Sequence, residues 1–189
     1  MIRFQDIWEK SSRIEGAFSP EEAKVLFNKS MICGDISNIV EIGSYLGRSS
    51  TVLGQVAKYR NHNLTCIDPF IDGCGNIKAK DMEKHFRQNM DSLNLKYELL
   101  AMKSEDAVKI YDKEISLLFI DGDHTKQGVK KDKELWLPKV KVGGYALFHD
   151  YNEREGWLGV KATVDTINKK EFVCDGIQQT IIAFKRIHG

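Results

Sequence analysis

Short apolar runs alternate along this chain with longer segments in which apolar positions recur every three to four residues. The runs are Ile39 to Ile42, Leu64 to Ile67, Tyr97 to Leu100, Ile115 to Ile120, Tyr145 to Phe148, Glu171 to Cys174 and Thr180 to Lys185. Their length and their β-branched and aromatic content predict strands. The periodic segments predict helices: Ala23, Leu26 and Phe27; Val52, Leu53, Val56 and Ala57; Phe86, Met90 and Leu93; Ala107, Val108 and Tyr111; a segment running to Trp136; and Trp157, Val160, Val164 and Ile167. Residues 1–18 carry Phe4, Ile7, Trp8 and Ile14 without a clear period, which predicts a short helix or an irregular cover.

The punctuation between these segments has a physical basis. Ser19-Pro20-Glu21-Glu22 is a helix start, with serine at the N-cap, proline at the first helical position and a glutamate placed to close a capping box. Ser104 is expected to cap a short helix, and Pro69 and Pro138 to stop the elements before them. Lys141 to Gly144 and Asp175-Gly176 read as turns, while Ile71-Asp72-Gly73-Cys74-Gly75-Asn76 reads as a mobile loop over the sheet edge. Strands that alternate with helices give an α/β, doubly wound, mostly parallel sheet with helices on both faces. Seven strands are expected, the last two forming an antiparallel C-terminal hairpin because no helix separates them.

Length and charge narrow the picture. The 189 residues fit a single domain, residues 1–189, with 1–18 as its N-terminal cover, and suffice to bury a core without disulfides or metal. A net charge of +1 gives no electrostatic reason to expect nucleic acid or an anionic membrane as partner. Lys126, Lys130, Lys131 and Lys133 alternate with Asp132 and Glu134, as on a solvated helix face. No apolar run reaches transmembrane length, and the first residues lack a signal-peptide pattern. Cys33, Cys66, Cys74 and Cys174 have no Cys-x-x-Cys spacing, so buried reduced thiols and a cytoplasmic location are expected.

Candidate chemistry gathers at the strand ends. Between the first strand and its helix lies Glu41-Ile-Gly43-Ser44-Tyr45-Leu46-Gly47. Gly43 permits a sharp turn and Gly47 lets the helix begin close to whatever sits over it, where free backbone N–H groups favour an anion. The spacing is neither Gly-x-Gly-x-x-Gly nor a P-loop, and the Glu41 carboxylate would repel a pyrophosphate but attract an ammonium group. Glu41, Asp68, Asp121 and Asp150 all fall at or just past strand C-termini, the edge on which open α/β sheets bind ligands. Acidic N-caps of the following helices explain any one of them less remarkably, but not all four together. Asp68 follows Gly43 by about 25 residues, near the spacing at which an acidic side chain meets ribose hydroxyls, which suits nicotinamide nucleotides and S-adenosylmethionine (SAM) alike.

The loop, together with Leu118-Phe119-Ile120-Asp121-Gly122-Asp123-His124, Gly128-Val129-Lys130-Lys131-Asp132, Lys141 to Gly144 and Phe148-His149-Asp150-Tyr151, resembles the class I SAM-dependent methyltransferases. Within them it is most similar to the small bacterial family that includes macrocin-type sugar O-methyltransferases and cephalosporin hydroxylase-like proteins. The resemblance covers roughly residues 20–185 and implies a Rossmann-like sheet and methyl transfer to a hydroxyl of a sugar or other small molecule. It implies that Glu41 and Gly43 hold the methionine end of SAM, with Ser44 and Gly47 in the same loop, Asp68 the ribose, Ser104 the adenine edge and Asp121 a further cofactor contact. Relatives often carry an aspartate where this chain has Lys103.

In part of that family the resemblance also implies a divalent metal, magnesium or manganese, at the positions of Asp121, His149 and Asp150, with His124 as general base. His149 stands where metal-dependent relatives commonly carry a carboxylate, so a different ion, or a metal-free site in which His149 and Asp150 only hydrogen-bond, are the alternatives. A nicotinamide-dependent oxidoreductase or a non-catalytic cofactor-binding module could use the same fold, although the former lacks its third glycine. DNA base methylation fits poorly, because no Pro-Pro-aromatic tetrapeptide ends the fourth strand. The acceptor is unspecified, and a homo-oligomer is left open.

Overall fold

Seven strands build one sheet in the order β3-β2-β1-β4-β5-β7-β6. The computed structural model describes residues 2–34, 37–71, 77–154 and 158–189. In chain order the elements are α1 (Phe4–Ser11), α2 (Pro20–Ile32), β1 (Asn38–Ile42), α3 (Arg48–Arg60), β2 (Asn63–Ile67), α4 (Ala79–Ser92) and β3 (Glu98–Leu100). There follow α5 (Ser104–Ile110), β4 (Ile115–Ile120), α6 (Lys126–Trp136), β5 (Val140–Phe148), α7 (Leu158–Val164), β6 (Phe172–Gln178) and β7 (Ile181–Arg186). Strands β1 to β5 pair in parallel and β7 pairs antiparallel with both β5 and β6. The doubly wound sheet with a C-terminal hairpin is therefore present. Chain order reverses between β1 and β4, the switch point at which such sheets leave a crevice.

Strand parity sorts the core into two layers. Ile39, Leu64, Cys66, Leu117, Phe119 and Leu147 pack with residues of α1 to α4. Val40, Ile42, Ile67, Leu118, Ile120, Ala146 and Phe148 pack with residues of α5 to α7. β4 is buried at all six positions, as a central strand covered on both faces must be. The expected capping box starts α2: the Ser19 side chain accepts from the Glu22 amide while the Glu22 carboxylate accepts from the Ser19 amide. Met82, Phe86 and Met90 give α4 a buried stripe at four-residue spacing. No helix among the described residues is long and apolar enough to cross a membrane.

Several local expectations shift. Lys141 to Gly144 is not a separate turn: β5 runs through it, with a register irregularity against β4 and Gly143 at φ +82°. Asp175-Gly176 likewise lies inside β6, where Gly176 at φ +124° marks a register shift, and the hairpin turns at Gln179 instead. In both places a glycine supplies a bulge rather than a reversal. Ser104 is the first residue of α5, Lys103 being its N-cap, and makes no capping bond. Cys33 and Cys66 are buried as expected, but Cys174 is exposed on the edge strand. Cys74, the rest of the expected loop at 72–76, and Trp157 lie outside the described residues.

Candidate active site

Strand register brings the candidate residues into one row. Ile42 pairs with Ile67 on one side and with Ile120 on the other, and Ile120 pairs with Phe148. The next residues are Gly43, Asp68, Asp121 and His149, so four neighbouring strands deliver them at the same level of the sheet edge. Asp68, Asp121 and His149 also share a parity, which directs their side chains to the α1–α4 face. Asp150 would point to the opposite face. Its backbone takes the left-handed conformation at φ 56°, and its carboxylate joins the others. An aspartate tolerates that conformation better than most residues, and such positions concentrate at functional sites.

The glycine loop is held from below and from the side. Glu41 is fully buried, and its carboxylate accepts hydrogen bonds from the hydroxyls of Ser44 at 2.8 Å, Ser49 at 2.6 Å and Ser50. Burial pushes its pKa up to about 7; the serine hydroxyls oppose the shift, and nearby Asp121 adds to it. Asp68 closes the loop from β2: Oδ2 accepts the amides of Ser44 at 2.9 Å and Tyr45 at 2.8 Å, and Oδ1 accepts that of Phe70 at 2.7 Å. Gly43 is required by close approach, since a Cβ there would lie 2.1 Å from the Asp121 carbonyl oxygen. Gly47, at φ +91°, leaves room for the Phe86 ring, 3.1 Å from where its Cβ would be. Ser104 turns its hydroxyl to Asp132, whose pKa burial raises to about 6.

Across the switch point lies a cluster of acids and imidazoles. His124 Nε2 is 2.9 Å from Asp150 Oδ2 and 3.4 Å from Asp121 Oδ1. His149 Nδ1 is 3.0 Å from Asp121 Oδ1 and 3.2 Å from Asp150 Oδ2. Burial works against a charge on His124, but the two carboxylates outweigh it and lift its pKa to about 9. For His149 burial also opposes the charge, and Asp121, Asp150 and Glu22 together drive its pKa strongly upward. Burial of Asp150 is outweighed in turn by the two imidazoles, which hold its carboxyl well below the usual range. The close approaches at His149 are ion-pair distances only: neither of its buried ring nitrogens makes an aligned hydrogen bond.

A donor set is thus assembled around a common point. One potential ligand atom from each of Asp121, His124, His149 and Asp150 lies within 4.8 Å of the others. That is close to the span one cation bridges with bonds of about 2.0–2.2 Å. Carboxylate oxygens with imidazole nitrogens suit manganese, iron or zinc better than magnesium. These donors fit a divalent ion, and the misaligned His149 nitrogens are the feature that fits it best.

The cluster has walls that the strand-end pattern did not identify. Phe18 and Phe119 place their rings 5.5 Å and 6.3 Å from the His149 ring. Arg48 donates to the carbonyls of Ile14, Phe18 and Ser12, tying residues 12–18 to the start of α3. Glu22 reaches to 3.4 Å from His149 Nε2. Its capping-box position was readable, but its contact with a residue so distant in sequence was not.

Residues 40–151, which contain the loop and the whole cluster, match the methyltransferase domain family. The uncharacterized protein R132 of Acanthamoeba polyphaga mimivirus is 33% identical over 118 residues, covering 60% of this chain and 51% of that one. The match thus spans about half the length of that relative. Among solved structures, cofactor-bound Rv0187 from MTB superposes with a TM-score of 0.75 at 12% identity, over 98% of this chain and 89% of that one. The O-methyltransferase TomG from Streptomyces achromogenes, in complex with SAM, gives 0.71 at 11% identity, over 100% and 91%. At these identities the structures establish a shared fold, while the family match covers more than half of this sequence. The chain belongs to the methyltransferase domain family.

Proposed function

We propose that this protein is a SAM-dependent O-methyltransferase that methylates a hydroxyl of a sugar or other small molecule. One observation carries the reading: a glycine loop closed by Asp68 and an acid–imidazole cluster stand side by side at the switch point, at one level of the sheet edge. That is where a bound cofactor and an acceptor hydroxyl could meet in line. The SAM named for TomG supports the cofactor, and the family match supports the chemistry.

SAM supplies an electrophilic sulfonium methyl. In this reading Gly43, Ser44 and Gly47 border its methionine end. Glu41 acts from beneath, through the serine hydroxyls, rather than by direct contact, because its carboxylate is wholly buried and already accepts three hydrogen bonds. Asp68 receives the ribose on Oδ1, which among the described residues accepts the Phe70 amide alone and so has a second lone pair to offer. Ser104 lies at the adenine edge with its hydroxyl turned to Asp132, so its backbone is the part available there. Asp121 stands between the cofactor and the cation positions.

A divalent cation held by Asp121, His149 and Asp150 would lower the pKa of an acceptor hydroxyl. His124 Nε2 is the base that takes the hydroxyl proton. With a pKa near 9 it is already protonated at neutral pH while Asp121 and Asp150 face it. It would serve as a base if Asp121 and Asp150 turned their charge to a cation. Phe18 and Phe119 keep water from the far side of His149, and the chain's largest contribution is alignment of donor and acceptor. The test is calorimetric titration with SAM and NADH, followed by assay of demethylated cofactor on a panel of hydroxyl compounds. Binding of SAM with turnover of a hydroxyl acceptor is expected; binding of NADH without SAM would overturn the reading.

A further inference from the structure

Glutamate is almost never fully buried without partners, yet Glu22 is 6% exposed at the third position of α2. Its two oxygens do different things. Oε2 serves the capping box, accepting the Ser19 amide at 2.9 Å and the Ser19 hydroxyl at 2.8 Å. A capping box needs no more than that. Oε1 faces the other way: it accepts the Thr180 hydroxyl at 2.6 Å, from the turn between β6 and β7, and lies 3.4 Å from His149 Nε2. Two elements far apart in sequence therefore fix one carboxylate oxygen beside one edge of a buried imidazole. The opposite edge of that ring, Nδ1, faces Asp121 and Asp150. The Phe18 and Phe119 rings flank it.

An imidazole ligates through a nitrogen with a free lone pair, and its other N–H is commonly held by a carboxylate or carbonyl that fixes the tautomer and raises the ring's basicity. In the bare protein the 3.4 Å approach is not an aligned hydrogen bond; we propose that Glu22 is a positioning residue that takes the Nε2–H of His149 when the ring presents Nδ1 to a cation held by Asp121 and Asp150. The inference rests on the cation site proposed above. Its consequence is selectivity: an imidazole made more basic by Glu22 favours manganese or zinc over magnesium, for which the two carboxylates alone serve. Thr180 holds the carboxylate in the rotamer that reaches the ring.

Titration calorimetry of the full chain with Mn2+ and with Mg2+, on wild type and Glu22→Gln, tests this without an activity assay. Glutamine retains the capping box, and a thermal melt reports whether the variant is folded. The expected result is a fall in Mn2+ affinity of about 10-fold or more with Mg2+ affinity changed by less than about 3-fold. A folded variant with an unchanged ratio of the two affinities overturns the role of Glu22 and leaves the cation site standing. A measurement independent of the variant is the 15N spectrum of the His149 ring in zinc-loaded wild type, where Nε2 should carry the proton and Nδ1 the metal. The reverse tautomer overturns the proposal, and wild type that takes up neither Mn2+ nor Zn2+ overturns the cation site itself.

Discussion

Asp68 binds the backbone of Ser44: its Oδ2 lies 2.9 Å from the Ser44 amide nitrogen and also accepts the Tyr45 amide, so the second strand's acid holds the first strand's loop in shape. Asp68→Ala therefore has two expected effects. SAM affinity falls, because the proposed ribose acceptor is lost. The protein also loses roughly 1.5–3 kcal/mol of stability, the scale of hydrogen bonds to a charged group. Asp68→Asn, which keeps one acceptor oxygen for the loop, should recover much of the stability and little of the affinity. Calorimetry and urea unfolding on both variants separate the two.

Glu41 gives a pH dependence of definite sign. Its carboxyl titrates near 4.5 in the unfolded chain and near 7 in the native one. Between those values the unfolded chain releases a proton that the native protein keeps, so stability falls as pH rises through the window and stays lower above it. The size is on the order of 3 kcal/mol. Glu41→Gln should remove this slope, gaining stability relative to wild type from pH 5 to pH 8. Parallel unfolding curves of the two proteins across that range would remove burial of the charge as the cause.

His124 links cation uptake to protons. With its pKa near 9 in the bare cluster, it must give up a proton when Asp121 and Asp150 engage a cation. His149, whose pKa the same carboxylates and Glu22 drive strongly upward, must release a second proton to present Nδ1, so Mn2+ affinity should rise between pH 6.5 and 8.5 by more than about tenfold for each pH unit. Titrations in buffers of different ionisation enthalpy check whether protons are released.

On the proposed reaction, His124→Ala should lower turnover by roughly 10²–10⁴. Asp150→Ala should act like a chelator, abolishing turnover with SAM affinity nearly unchanged, because the cofactor's contacts lie mainly on the first strands. Chelator-resistant turnover that still needs His124 would remove the cation and keep the base.

Gly43→Ala places a Cβ 2.1 Å from the Asp121 carbonyl, at a backbone φ of +85°. No rotamer relieves a backbone clash, so a loss of at least about 3 kcal/mol is expected. Thermal unfolding checks it.

Much of this site could be read directly from the amino-acid order. Alternating periodicities of two and 3.6 residues, the capping signal at Ser19, and acids recurring at strand ends are local properties, and they determined the element types, the doubly wound sheet and the edge that gathers the candidate residues. Glycine at 43 was readable as a sharp turn, whereas its close approach to the Asp121 carbonyl follows only from the pairing of β1 with β4. Gly176 was misread as a turn because a bulge and a reversal ask the same conformational freedom of a glycine, and only pairing with β7 distinguishes them.

What tertiary structure alone decided concerns contacts between residues distant in sequence. The register of four strands set Gly43, Asp68, Asp121 and His149 level. The packing of α3 over β1 brought Ser49 and Ser50 onto Glu41 and took its carboxylate out of solvent. The left-handed backbone at Asp150 brought its side chain round to His124 and His149. Glu22 met His149 because a helix start and a hairpin turn converge on the same strand end. Local sequence determines which dihedrals a residue prefers, whereas the partner that a side chain finds depends on how the whole sheet closes, and that closure is a property of all the strands together.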